Sequence, residues 1–152
     1  MPKKTEKVQY MVKVEDWKVD CGFGINTLSK DDYPEDYSEH SGIILMGKLL
    51  LPVLKKTKRA KIKIMGSPEL EDHWKYERKD PPTATGWIEI SKGSDTVEFH
   101  SLFPHRNLSF ILMAVASGKV GFASICGTKL RYRKADLLDL ELLSTQGGFG
   151  DE

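Results

Sequence analysis

Cysteine is scarce in this sequence: the 152 residues include two, Cys21 and Cys126, which lie far apart in the chain. Neither belongs to a Cys-x-x-Cys or Cys/His spacing, which argues against a disulfide framework and against a zinc motif. Two isolated thiols are typical of a protein that stays reduced, so we expect a cytoplasmic protein.

Long apolar runs are also missing. The longest nearly apolar stretch, Ile43 to Leu54, contains Lys48 and Pro52 and is far shorter than the roughly 20 residues of a membrane-crossing helix. The first residues lead into alternating valines and charged side chains, without the apolar block of a signal peptide. We therefore expect no membrane insertion.

The chain has no large excess of either charge, because its formal net charge is +1. The charges are nevertheless segregated along the sequence. Residues 40–68 and 99–135 contain basic side chains and no acidic ones, whereas residues 1–39, 69–98 and 136–152 are net acidic. Such blocks indicate surfaces of one sign that attract an oppositely charged partner.

What the sequence has in quantity is period-2 alternation, which predicts strands. The first strand is predicted to begin at Val8, and its alternation reaches Val19 only if Glu15 and Asp16 absorb a one-residue slip. Cys21 to Gly24 is expected to end this strand. Further strands are predicted in residues 43–51, 60–65, 87–90, 96–103, 120–125, 129–133 and 138–142. Residues 29–41 are expected to form an acidic loop, and residues 92–95 a hairpin turn.

The helical period occurs once, in residues 105–117, which are apolar nearly all round. We expect this helix to be buried against a sheet and to end at Gly118. The sequence thus predicts a mainly β fold, an antiparallel β-sandwich or open barrel of about seven strands with one packed helix. Residues 1–145 would form a single domain and residues 146–152 a frayed tail.

Two predicted strands carry basic stripes. In residues 60–64, Lys61 and Lys63 point away from the apolar side chains, and residues 129–133 repeat this pattern with Leu130 and Tyr132 on the apolar side. A basic loop precedes the first stripe. If the two strands are neighbours, they form one cationic face, for which the candidate anion-binding residues are Lys56, Arg59, Lys61, Lys63, Lys129, Arg131 and Arg133.

Three functions are compatible with these features, and we rank them in the order given. The first is a non-catalytic binding module, without a cofactor, for nucleic acid or a phosphorylated ligand. The second is a protein-interaction or self-assembling module, in which the acidic loop of one copy meets the basic face of another. In the simplest alternative to both, the basic stripes bind no partner, because they only face solvent or because the protein's own carboxylates cover them.

The third function is a small enzyme or metal site at a strand-to-helix corner formed by Glu98, His100 and His105, with Arg106 beside it. Catalysis ranks last, because the sequence has no nucleophile elbow and no carboxylate pair with diagnostic spacing. The stretch from Gly42 to Lys48 resembles a phosphate-binding loop only formally. It is followed by Leu49, which has no oxygen for Mg²⁺, and its centre is typical of a buried strand.

Overall fold

The computed structural model describes residues 6–27, 31, 32, 36–67, 70 and 82–145. Within them, seven strands close into one barrel with the strand order β1-β2-β3-β5-β4-β7-β6. The elements are β1 (Lys7–Ile25), β2 (Tyr37–Leu51), β3 (Arg59–Ser67), β4 (Gly86–Ile90), β5 (Thr96–Pro104), α1 (His105–Ala116), β6 (Phe122–Thr128) and β7 (Lys134–Leu143).

The predicted class, a mainly β domain with one helix near residues 105–117, is confirmed. The sheet differs from the expectation in two ways: it closes on itself, and β3 pairs with β5 in parallel. The parallel pair arises because β4 and β5 form an antiparallel hairpin whose second strand, not its first, lies next to β3.

Alternation along the strands produces the core. Ala60, Ile62 and Ile64 of β3 are buried inside the barrel, whereas Lys61 and Lys63 between them point outward. A T-shaped pair of Tyr10 and Phe99, with ring centroids 5.1 Å apart, lies in the same core. Burial of such side chains contributes roughly 1.5–3 kcal/mol each and is the main force that holds the barrel closed.

The helix packs against the barrel through one face. Leu108, Ile111 and Val115 are buried, at the spacing i, i+3, i+7. The expectation that α1 is buried nearly all round is wrong, because Phe110 and Met113 are 75% and 71% exposed. Gly118, with φ +76°, follows the C-cap as predicted. The twelve-residue α1 is too short to cross a bilayer, and the described part of the chain has no other α-helix.

The first two strands are longer than the sequence indicates. The predicted slip near Glu15 is confirmed as a bulge, since Val14 pairs with Gly47 and Asp16 pairs with Met46. The predicted strand end at Cys21 to Gly24 is wrong, because β1 continues to Ile25. Residues 37–41, which were predicted to lie in the acidic loop, belong to β2. They pair with the last five residues of β1, so both strands are longer than predicted. The predicted frayed tail, residues 146–152, lies outside the described residues, as do residues 28–30 and 33–35 in and beside the predicted acidic loop.

Candidate functional site

One end of the barrel gathers three connections and the start of β1. The strand register shows this, because Arg59 pairs with Thr96 at the start of β3 and β5, and Glu89 pairs with Lys134 at the end of β4 and the start of β7. We call residues 6–7, 52–59, 91–95 and 129–134 the basic rim. Its basic side chains, all exposed, are Lys7, Lys55, Lys56, Lys58, Arg59, Lys92, Lys129, Arg131, Arg133 and Lys134; its acidic ones are Glu6 and Asp95.

Backbone hydrogen bonds join the parts of the rim to one another. The N–H groups of Lys58 and Arg59 both donate to the carbonyl of Asp95, at 2.9 and 3.1 Å. On the other side of the hairpin, the N–H of Ile90 donates to the carbonyl of Arg133 at 3.0 Å. The N–H of Lys129 donates to the carbonyl of Glu6 at 3.2 Å. The rim is therefore a continuous surface and not a set of separate loops.

The connection between β6 and β7 corrects the sequence-based prediction of a strand over residues 129–133. Arg131 and Lys134 exchange two backbone hydrogen bonds, of 2.8 and 3.0 Å, around a two-residue turn. The two residues inside it, Tyr132 and Arg133, have φ values of 52° and 64°, as the two central residues of a type I′ turn require. The Tyr132 side chain is 98% exposed, so it does not lie on the apolar side that the predicted strand assigned to it.

The seven predicted site residues fall into two groups. Five of them belong to the rim: Lys56, Arg59, Lys129, Arg131 and Arg133. The other two, Lys61 and Lys63, lie on the outer wall of the barrel along β3. The expectation of neighbouring basic stripes is wrong, because β5 and β4 separate β3 from β7. Sequence reasoning did not select Lys7, Lys55, Lys58, Lys92, Lys134 or Tyr132, which the closure of the barrel brings to the same end.

The protein's own carboxylates pair with some of these cations. Arg59 contacts Glu15 at 2.9 Å, Lys63 contacts Glu98 at 3.6 Å, and Lys129 contacts Glu6 at 3.5 Å. The pairs of Arg59 and Lys129 are about half or more exposed, which makes them weak and easily exchanged for another anion. Within the part of the chain that the structure describes, Lys56, Lys61, Arg131 and Arg133 form no ion pair.

A second cluster lies on the outer wall of β4 and β5. The ligand atoms of Glu89, Glu98 and His100 lie within 4.8 Å of one another and could hold a divalent cation. The predicted metal set of Glu98, His100 and His105 is wrong in its third member. His105, at the start of α1, places its Nδ1 3.4 Å from the hydroxyl of Ser41. The sequence could not select Glu89, because only the β4–β5 register brings it opposite Glu98.

His100 is the most buried residue of this cluster. Its ring stacks on the indole of Trp87, with centroids 4.5 Å apart, and its Nε2 lies 3.1 Å from the carboxylate of Glu89. Burial first, and then the charge of Lys63, lower the pKa of His100; the two glutamates oppose that shift. Lys63 pairs with Glu98 and His100 contacts Glu89 and Trp87, so the side chains of the cluster already bind one another and form part of the wall.

A cleft of about 670 Å³ lies at the other end of the barrel, beside the start of α1. Phe103, Leu138 and Leu140 contribute apolar lining, and Asn107 and Asp139 contribute polar atoms. Asp139 is the one ionisable side chain among the described residues that line the cleft.

No family model, curated protein or solved structure matches the chain.

Proposed function

We propose that the protein is a non-catalytic binding module that engages single-stranded nucleic acid through the basic rim. The observation that carries this proposal is the topological gathering of three basic connections, with Arg131, Tyr132 and Arg133 at the tip of an exposed two-residue turn. The exposed rim contains few acidic side chains, and its carboxylate pairs are solvent-screened.

Phosphate chemistry supports this proposal. A row of exposed lysines and arginines releases the counterions of a nucleic acid on binding, which gives an affinity that falls steeply with salt. Arginine adds a planar fork that binds phosphate oxygens in a bidentate manner. Arg131 and Arg133 are the chain neighbours of Tyr132, so the same exposed turn presents two such forks and one aromatic side chain.

The exposed aromatic ring favours a single strand over a duplex. Unpaired bases stack on aromatic side chains, with a contribution of about 1–3 kcal/mol per base. Tyr132 is free to accept a base, because its side chain is almost fully exposed. A duplex hides its base faces and would use the rim charges alone.

Fluorescence anisotropy with a labelled single-stranded oligonucleotide tests the proposal. Between about 50 and 200 mM salt, we expect the affinity to fall by at least tenfold, because several phosphate contacts are lost. The double variant Arg131→Glu/Arg133→Glu should abolish binding at the lower salt concentration. Lys119→Glu is the matched control, since Lys119 is exposed in the α1–β6 connection at the opposite end of the barrel; it should bind like the wild type.

Three outcomes decide against the proposal. An absence of binding to the oligonucleotide and to heparin at low salt removes the polyanion-binding function. If the protein binds heparin and the single strand with equal affinity, and Tyr132→Ala leaves both affinities unchanged, the ligand is a general polyanion or a phosphorylated ligand and not a nucleic acid. A salt-sensitive monomer–oligomer equilibrium that rim charge reversal abolishes would instead support self-assembly of the acidic loop on the basic face.

A further inference from the structure

The β1–β2 hairpin extends beyond the barrel as a two-stranded ribbon. The pairing of β2 with β3 covers Gly42 to Lys48, and the pairing of β1 with β6 ends at Lys13. We call residues 17–25 and 37–41 the ribbon; among the described residues, 21–25 pair with 37–41 alone, whereas 17–20 pair with the part of β2 that β3 backs. Two strands alone are marginally stable in water, and three or more are needed to support an apolar face. The ribbon therefore has the character of an incomplete sheet.

The ribbon leaves apolar side chains in solvent. Exposed fractions are 47% for Val19, 73% for Phe23, 75% for Ile25 and 62% for Tyr37, and the rings of Phe23 and Tyr37 stack at 5.5 Å. After the bulge, Trp17 and the following odd-numbered residues occupy the face that continues the barrel interior, since Trp17 pairs with the buried Leu45. This face is an uncovered extension of the core.

The outer edge of β1 in the ribbon presents unpaired backbone groups. The N–H of Val14 donates to the carbonyl of Gly121, on the side of β1 that faces β6. Because the bulge adds one residue, the backbone N–H and C=O groups of the odd-numbered residues point to that side beyond it. In agreement, the N–H of Asn26 donates to Asp36 on the β2 side. Among the described residues, no strand receives the edge groups of Val19 to Ile25. Such an edge is a template for another strand.

We propose that a second copy of the chain occupies this edge, with residues 17–25 of both copies paired antiparallel about a two-fold axis at Cys21. In this register the whole open edge is paired. Trp17 lies opposite Ile25 of the second copy, and Val19 lies opposite Phe23, each twice by symmetry. Both are pairs of an aromatic with a β-branched residue, which stabilise cross-strand contacts.

The charges on the opposite face of the ribbon fit the same register. Asp20 lies opposite Gly22 of the second copy, and Lys18 lies opposite Gly24. The ring of His40 covers Gly22, so that a Cβ there would contact it, and it reaches Asp20 of its own chain at 3.3 Å. Asp20 of the second copy would approach the same imidazole. No like charges face each other, whereas a register shifted to an axis at Asp20 would place two aspartates in contact.

Sedimentation velocity on the full chain, at concentrations up to about 0.1 mM, tests this interface. We expect a dimer for the wild type and a monomer for Phe23→Lys, which places an ammonium group opposite Val19. Phe110→Lys is the matched control, because Phe110 is equally exposed at the same end of the barrel but lies on α1; it should remain dimeric. A monomeric wild type, or equal behaviour of the two variants, overturns the proposal.

Two further variants test the register without disturbing the apolar face. A Cβ at Gly24 would meet nothing within 4 Å. Gly24→Asp should tighten the dimer about tenfold, because the two-fold axis creates a pair with Lys18 twice, and Gly24→Lys should loosen it. Equal effects of the two substitutions would contradict the register even if both variants fold.

Crosslinking provides a test of the axis itself. Directly opposite hydrogen-bonded residues have Cα atoms about 5.5 Å apart, which a short bis-maleimide easily spans. The Cys126→Ser variant, which keeps the exposed Cys21, should form a covalent dimer, and Cys21→Ser should not. A covalent dimer from neither variant overturns the axis. Because the ribbon and the basic rim lie at opposite ends, loss of the dimer would leave oligonucleotide binding of the rim intact.

Discussion

At the scale of single residues, the turn at Tyr132 and Arg133 shows a conflict between conformation and side chain. Both residues have positive φ, a conformation that Asn-Gly adopts readily and that costs other residues about 1–3 kcal/mol each. Strain of this kind persists where the side chains have another role. Here the turn exposes the tyrosine and the arginine that the proposed function assigns to binding.

Replacement of this turn should separate stability from binding. We expect Tyr132→Asn/Arg133→Gly to raise the free energy of unfolding by about 1–2 kcal/mol in urea denaturation, because the strained residues are relieved. The same variant should lose at least tenfold in oligonucleotide affinity, since it lacks the ring and one guanidinium. Arg131→Ala is the control that should weaken binding without the gain in stability. A double variant with unchanged affinity would exclude the turn from the binding surface.

His100 gives the molecule a defined pH dependence. Its pKa is lowered in the folded state, mainly by burial, whereas unfolding restores the ordinary value of 6.5. Below about pH 6.5 the unfolded chain therefore binds a proton more readily than the folded chain. The free energy of unfolding should be fully retained above that pH and should fall as the pH drops toward the lowered pKa.

Urea midpoints at about pH 7.5 and about pH 5.5 measure this effect. The difference between the two should be smaller in His100→Gln than in the wild type. A His100→Gln variant with the wild-type pH dependence would assign the effect to other groups.

At the scale of elements, the bulge at Glu15 allows β1 and β2 to approach closely. Gly47 lies opposite the bulge, and a Cβ there would collide with the carbonyl of Lys13. The glycine is needed for this contact, since the colliding atom belongs to the backbone and cannot turn away. The bulge also reverses which side chains face inward, and so it creates the apolar face of the ribbon.

Alanine substitution tests the role of this contact. Gly47→Ala should lower the free energy of unfolding by about 1–3 kcal/mol, through overpacking against β1. Gly24→Ala, in the same hairpin but with open space around its Cα, should change it by less than about 0.5 kcal/mol or raise it. Thermal or urea unfolding of both variants is sufficient. A neutral Gly47→Ala would mean that the bulge relaxes freely.

At the scale of the whole molecule, chain folding brings parts of different charge blocks to the same end of the barrel. The β2–β3 and β6–β7 connections, from the two acid-free segments, lie at the rim. The β1–β2 connection, which contains Asp31, Asp32 and Asp36, lies at the other end. Chain reversal at each hairpin brings basic connections that are far apart in the sequence to the same end of the barrel.

Lys92 provides the sharpest test of this arrangement. It lies in the β4–β5 turn, between the two acid-free segments in the sequence but within the rim in space. Lys92→Ala should lower the salt slope of oligonucleotide binding by about one, as expected for one phosphate contact. Lys61→Ala, on the outer wall of β3, should lower it less. The reverse ranking would indicate that the strand wall binds the ligand and not the rim.

The sequence by itself determined the local structure. Period-2 alternation placed most of the strands, the spacing of Leu108, Ile111 and Val115 placed the helix, and the slip near Glu15 predicted the bulge. The acid-free segments also indicated five of the rim residues. These features depend on neighbours in the chain, which is why a single sequence contains them. Residues 129–133 were misread because an alternating pattern does not distinguish a strand from a two-residue turn held by its flanks.

Only the tertiary structure decided which of these elements meet. The closure of the barrel, the parallel β3–β5 pair and the separation of β3 from β7 depend on long-range strand pairing, which alternation does not encode. That pairing brought Lys92 and Tyr132 to the rim and Glu89 to His100, and left Phe23 and Ile25 uncovered. The physical reason is that burial fixes the face to which a side chain points, whereas strand order fixes its neighbours.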